Sequence, residues 1–181
     1  MGDFSSFTDG QLAEAIKKSD PRAFKTLYYR YYERLFQFLW LRTRSEELSK
    51  DLIQEVFSRV WNKRENLDPG QSIKAYLYRI SNNLMINHFQ HQKVENRYLN
   101  NLDADSFITN PDENFELREK ISREIENLPE KPRTVFMMHR FENFSYKEIA
   151  QTLEISIKTV EKRMSEALKI LRQRLARFVN K

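Results

Sequence analysis

SYKEIAQTLEISIKTVEKRMSEALKILR, residues 145–172, is the stretch on which the fold turns. It divides into two helices with almost nothing between them. Ser145 opens S-Y-K-E, in which a serine oxygen caps a helix and Glu148 reaches back to close a capping box. Ile149, Ala150 and Leu153 give a short apolar face, and Glu154-Ile155 leads to a second cap at Ser156. Beyond it Val160, Met164, Ala167, Leu168, Leu171 and Leu175 recur every three or four residues, one face of a longer helix. The opposite face carries Lys158, Lys162, Ser165 and Lys169 at its centre, flanked by Thr159, Arg163 and Glu166. A short helix, a tight turn and a long basic helix describe a helix-turn-helix, whose second helix enters the DNA major groove. A helical hairpin with solvated charges has the same pattern. The turn also lacks the glycine often found there, so the rest of the chain has to decide.

Composition narrows the choice. A hydrophobic share of 40% excludes general disorder, and 31% charged residues with only three glycines fit a mostly helical protein. Cysteine is absent, which excludes disulfides, thiol catalysis and cysteine-ligated zinc and suits a reducing, cytoplasmic setting. The start, MGDFSSFTDGQL, lacks the basic and apolar segments of a signal peptide, and no apolar run approaches membrane-spanning length. Charge is uneven. Residues 1–92 carry 14 Lys/Arg against 11 Asp/Glu, residues 93–117 carry 2 against 6, and residues 118–181 carry 15 against 9. Two basic blocks around an acidic strip suggest two surfaces for a polyanion, with a connector that avoids it.

Upstream, helices are expected over 9–18, with Leu12, Ala15 and Ile16 inward, and over 22–42, started by an Asp20 cap and Pro21. The second of these holds Phe24, Leu27, Tyr28, Tyr31, Leu35, Phe38 and Leu39 on one stripe. Tyr29, Tyr32, Phe36 and Trp40 lie off it, so the helix is apolar on more than one side and central in a bundle. A third helix spans 46–63. Leu48, Leu52, Ile53, Val56, Phe57 and Val60 cover one side, while Asp51, Gln54, Glu55 and Ser58 cluster on the other. That polar side is either an ordinary solvated face or a dock for a basic partner helix.

Residues 64–71 break the pattern, with Asp68-Pro69-Gly70 a turn signal, and Ser72 caps a fourth helix over 73–92. Ile73, Tyr76, Leu77, Ile80 and Leu84 are expected in its core. The remaining face mixes Tyr78, Arg79, Asn82, Asn83, Ile86, Asn87 and Phe89 and carries no acid. Such a face suits stacking on unpaired bases and bonding to their edges, or equally extra core packing. Residues 93–114 lose periodicity and read as an acidic linker. Helicity resumes from 115 through Leu117, Ile121 and Ile125, and a helix near 133–141 precedes the opening motif.

Catalytic chemistry is not visible. The glycines, at positions 2, 10 and 70, form no phosphate loop. His88 and His91 stand three apart, but no nearby carboxylate completes a metal site, and His139 sits among apolar residues. The carboxylates alternate with bases as surface helix charge. No enzyme, cofactor, metal or small-molecule substrate is expected.

Taken together, DPRAFKTLYYRYYERL, KDLIQEVFSRVW and IKAYLYRISNNLMINHF resemble the N-terminal promoter-melting domain of bacterial RNA polymerase sigma factors of the extracytoplasmic-function group. LPEKPRTVFMMHRFENFSYKEIAQTLEISIKTVEKRMSEALKILRQRL resembles their C-terminal domain, so the resemblance covers nearly the whole chain. It implies an all-α fold of two small helical domains: region 2 over 1–92, an acidic linker over 93–114, and a region 4 helix-turn-helix over 115–181. It implies that Asp51, Gln54 and Glu55 dock on the clamp helices of the largest subunit of core RNA polymerase. The turn over 64–71 and the following helix would read the −10 element. Asn83 would help form a pocket for a flipped base, with Tyr76, Arg79, Asn82, Asn87 and His88 as helical neighbours. Lys158, Thr159, Lys162, Arg163, Ser165 and Lys169 would stand at or near the −35 groove. Promoter DNA and an anti-sigma factor are the other implied partners. SYKEIA followed by IKTVEK resembles members paired with membrane-bound anti-sigma regulators. Two places depart from the family: Tyr76 stands where tryptophan is common, and Asp68-Pro69-Gly70 replaces the usual glycine-and-charge loop text. An autonomous helix-turn-helix repressor and a helical interaction adaptor are the rival readings.

Overall fold

The computed structural model describes residues 4–95 and 113–179, with side chains over 4–90 and 120–176. The chain forms two compact units, Met1–Asn100 and Asn101–Lys181. Among the described residues every regular element is helical. Most of the linker expected over 93–114 falls on residues outside the description.

The first unit packs four helices, α1 (Asp9–Lys17), α2 (Pro21–Thr43), α3 (Glu46–Asn62) and α4 (Ile73–Glu95), with a 3-10 turn at Arg64–Asn66. Each start is set by local chemistry. Thr8 and Gln11 form a capping box on α1, the Asp20 carboxylate accepts from Arg22 N–H at 2.8 Å with Pro21 in the first turn, and Ser45 caps α3. Arg22 also holds the Asp20 carboxyl at a pKa of about 2 through its side-chain hydrogen bond. α2 is central and meets the other three helices. The core runs through Leu12 and Ile16 of α1, Leu27, Leu35, Phe38 and Leu39 of α2, Ile53, Val56 and Val60 of α3, and Leu77 and Met85 of α4. Ala13, rather than Ala15, completes the inward face of α1.

α4 departs from the expected orientation. Tyr78, assigned above to the outer face, is fully buried, whereas Tyr76 and Ile80 are only partly covered. The cause is long-range. The Tyr78 ring meets Phe38 edge-on with centroids 5.0 Å apart, and the Arg42 guanidinium lies over the Phe38 ring, 5.2 Å from its centroid. Burying a tyrosine ring outweighs burying a second isoleucine, so the helix is rotated toward α2.

The second unit holds α5 (Glu113–Glu126), α6 (Glu130–Arg140), α7 (Tyr146–Leu153) and α8 (Ile157–Val179). α5, α6 and α7 all pack on α8. Pro132 lies in the first turn of α6, where its missing N–H costs nothing, so this helix begins earlier than the expected 133. Val135, Met138, Ile149, Val160, Met164 and Ala167 form the core. His139 Nδ1–H donates to the Phe144 carbonyl at 2.8 Å and the ring stacks edgewise on Tyr146, a packing role.

Candidate nucleic-acid and polymerase interfaces

The helix-turn-helix is built by short-range forces. Ser145 Oγ accepts from Glu148 N–H at 3.2 Å while the Glu148 carboxylate accepts from Ser145 N–H at 2.8 Å. α7 ends at Glu154, which adopts the left-handed conformation (φ 55°), and Ile155 N–H returns to the Ala150 carbonyl. A glutamate therefore fills the position that usually selects glycine. Ser156 Oγ then accepts from Thr159 N–H at 3.1 Å and starts α8. Because the left-handed region costs a residue bearing a Cβ roughly 1–2 kcal/mol, partly offset by the extra freedom glycine has when unfolded, Glu154→Gly is expected to stabilise this unit by about 0.5–1 kcal/mol. Thermal denaturation of the two proteins checks it; a lower melting temperature for the variant rules it out.

Along α8 the six expected −35 residues divide cleanly from the core. Lys158, Lys162, Ser165 and Lys169 are exposed and Thr159 and Arg163 half-buried, while Val160, Met164, Ala167 and Leu171 face inward. Thr159 Oγ1 lies 2.8 Å from Ser156 Oγ and is occupied by the cap. None of Lys158, Lys162, Arg163 and Lys169 has an ion-pair partner among the described residues. Unpaired cations on one face of a helix are what an incoming phosphate backbone can neutralise.

In the first unit the expected −10 residues separate. Tyr76, Arg79, Asn83 and Asn87 recur at spacings of three and four on one side of α4, with the Arg79 guanidinium 5.6 Å from the Tyr76 ring centroid. Asn83 and Asn87 are exposed. Asn82 is the exception. It is 6% exposed, and its Oδ1 accepts from Arg42 Nη1 at 3.0 Å, so it is committed to the core. A buried guanidinium needs such acceptors, which a surface reading of the sequence does not reveal. His88 is half-buried beside Phe89, and its Nε2 finds no hydrogen-bond partner among the described residues. Among the described residues no three metal-ligating side chains gather, and the side chain of His91 lies outside them.

Asp51, Gln54 and Glu55 share the outer face of α3, all exposed. Their surroundings differ. Glu55 accepts from Arg59 Nε at 2.6 Å, whereas Asp51 has no ion-pair partner among the described residues. The next turn up, Glu46 binds Lys50 at 2.5 Å and raises its pKa.

Sequence reasoning missed one feature beside them, a groove of about 480 Å³ between α2 and α3. Phe24, Tyr28, Tyr32, Phe57 and Trp61 wall it, and Gln54 reaches its edge. Tyr28 bridges the helices, 4.7 Å from the Phe57 centroid and 5.3 Å from Tyr32, while Phe24 lies 5.0 Å from Trp61. Of the aromatic residues off the core stripe of α2 only Tyr32 takes part; Phe24 and Tyr28, expected on that stripe, are only half-buried and wall the groove with it. They line an open surface rather than a second core.

Two family models match the chain in order, "Sigma-70 region 2" over residues 27–94 and "Sigma-70, region 4" over residues 118–171. The chain is 27% identical over 173 residues to the ECF RNA polymerase sigma-E factor of Escherichia coli K12, covering 88% of this chain and 90% of that protein. The RNA polymerase sigma-H factor of Pseudomonas aeruginosa is 26% identical over 172 residues, with 88% and 89% covered. Among solved structures, CnrH in complex with the cytosolic domain of CnrY superposes with a TM-score of 0.69 at 24% identity, covering 93% of this chain and 97% of that one. The sigma factor RpoE bound to the anti-sigma factor NepR from Bartonella quintana gives 0.72 at 21% identity, with 84% and 96% covered. At these identities the structural likeness speaks for the fold.

Proposed function

The chain belongs to the sigma-70 family, within its extracytoplasmic-function group, and from that membership we propose that it binds core RNA polymerase and directs it to promoters carrying −35 and −10 elements. The observation that carries this reading is the presence of regions 2 and 4, in that order, in one chain. It acts without catalysing a reaction of its own and works in the cytoplasm; no described helix is long and apolar enough to cross a membrane. An anti-sigma factor is its expected regulator, and the membrane-bound kind is the one suggested by the text of residues 145–162.

The division of labour follows from the two surfaces. In the region 2 part, residues 1–92, Asp51, Gln54 and Glu55 meet the polymerase clamp helices, and the aromatic groove beside Gln54 offers apolar contact to the same partner. Asn83, Tyr76, Arg79 and Asn87 face the melted −10 strand. An exposed amide can bond a base edge, and the Tyr76 ring can stack on a base, which offsets the few kcal/mol that flipping costs. Asn82 supports this face from behind through Arg42. In the region 4 part, residues 115–181, the cations of α8 hold phosphates and one or two side chains meet base edges. Residues 93–114 connect the two.

Transcription in vitro tests the whole reading. Added to purified core polymerase from the same organism, the protein should yield promoter-specific transcripts. If it neither binds core nor yields them, the sigma reading is lost; specific duplex binding without polymerase would instead make it a repressor. Within that assay Lys162→Ala should lower promoter affinity and reduce the slope of log affinity against log salt by about 1, the loss of one phosphate contact. An unchanged affinity at every salt concentration removes Lys162 from the interface.

A further inference from the structure

The loop over 64–71 joins α3 to α4, yet its inner side is held from elsewhere in the chain. Arg64 Nε donates to Ser19 Oγ at 2.8 Å, and Lys17 Nζ donates to the Leu67 carbonyl at 3.0 Å. The Pro69 carbonyl lies where a Cβ on Gly10 would stand only 3.1 Å from it. All three contacts come from α1 or the joint that follows it. Arg64 is held from two further directions, since Nη1 also donates to the Trp61 carbonyl at 2.9 Å and the guanidinium lies 4.8 Å from the Trp61 ring centroid. Ser19 is in the left-handed conformation (φ 64°) at that joint, the sparsely populated backbone from which its hydroxyl meets Arg64.

α1 is itself anchored. The Asp9 carboxylate accepts from Arg30 Nη1 at 2.9 Å and from the Tyr31 hydroxyl, and Leu12 and Ile16 are fully buried. Burial and the Asp9 carboxylate push the Tyr31 pKa up, so that hydroxyl stays a donor. The outer side of the loop is ordered from within. Asp68 accepts from Gly70 N–H at 2.9 Å and from Gln71 Nε2 at 3.1 Å, and Gln71 N–H closes the turn on the Asp68 carbonyl. Asn66, Asp68 and Gln71 are exposed.

We propose that α1 is a specificity-determining strut: Gly10, Lys17 and Ser19 are positioning residues that set the shape in which the 64–71 loop presents Asn66, Asp68 and Gln71 to promoter bases. This rests on the reading of that loop as part of the −10 reader. Hydrogen bonds to base edges fail over tenths of an ångström and a few tens of degrees, so a surface loop discriminates bases only when something rigid holds it. Here the rigid body is a helix more than 40 residues upstream of the loop. Gly10 matters because its missing side chain allows the approach. Its backbone is ordinary helix, so alanine there is accommodated by α1 and pushes on the Pro69 carbonyl.

The test compares holoenzymes on a promoter library randomised across the −10 element, using Gly10→Ala, Lys17→Met, Ser19→Gly and the conservative Lys17→Arg, with melting temperatures measured alongside. Gly10→Ala and Lys17→Met should each change the ratio between the best and second-best base at one −10 position by about fivefold, the scale of a single mismatch. Ser19→Gly, which suits the left-handed backbone and removes the hydroxymethyl group that meets Arg64, should shift the same position, while Lys17→Arg keeps the wild-type ranking. A merely structural role predicts a uniform loss of transcript with the ranking intact, and that result overturns the proposal. Gly10→Ala decides alone if Lys17→Met fails to fold, because alanine favours the helix. Asp68→Ala and Gln71→Ala serve as controls. If they shift the ranking and the α1 variants do not, the strut is wrong; if neither set does, the loop is not a −10 reader and the strut falls with it.

Discussion

Asp51→Lys should weaken binding of the protein to core polymerase by about a hundredfold, because placing like charges together across an interface costs several kcal/mol. Glu55→Gln should cost only a few-fold. The two carboxylates lie one turn apart on the same exposed face of α3, but their electrostatic situations differ. Arg59 sits 2.6 Å from Glu55 and already answers its charge, whereas Asp51 has no ion-pair partner among the described residues. A basic partner helix therefore gains more from Asp51. Neither side chain is part of the core, so melting temperatures should stay within the range typical of surface substitutions, about 0.5 kcal/mol either way. Titration of fluorescently labelled protein with core enzyme reads the affinities. Binding by Asp51→Lys at the wild-type level would take this residue out of the polymerase interface.

The adjacent asparagines Asn82 and Asn83 are expected to fail in opposite ways. Asn82→Ala removes the acceptor 3.0 Å from the buried Arg42 Nη1, and losing a hydrogen bond to a charged group costs about 1.5–3 kcal/mol of stability. Asn83→Ala touches nothing in the core and should leave the melting curve in place. Its cost should come in promoter opening, about tenfold, the effect of one lost base contact. Denaturation curves and permanganate footprinting of open complexes separate the two. A stability loss at Asn83 with full opening, or the reverse at Asn82, would contradict the orientation of α4 described above.

That orientation marks where reading the chain from its residues stopped being enough. The capping box at Ser145 and Glu148, the turn at Asp68–Gly70 and the outward cations of α8 were legible because each depends on residues within a turn or two of one another. α8 also has a clean apolar stripe, so its inner and outer faces follow from spacing alone. α4 has no such stripe. Tyrosines, isoleucines and asparagines surround it, and several rotations would bury comparable apolar area. Phe38 and Arg42, some 40 residues earlier, break the tie by taking Tyr78 and Asn82. The aromatic groove has the same origin: Tyr28 and Tyr32 become a wall only when Phe57 and Trp61 of α3 stand opposite.

The chain on its own thus determined the all-helical class, the two-part organisation and the recognition helix, since these rest on periodicity, capping and the order of segments. Tertiary structure alone decided which amide of an adjacent pair faces solvent, which aromatic residues of α2 wall an open groove, and that α1 braces a loop distant in sequence. The physical reason is range. Helix formation and capping act over a few residues, whereas desolvation of a guanidinium, packing of a ring or support of a loop depends on whichever distant side chain the fold brings into contact.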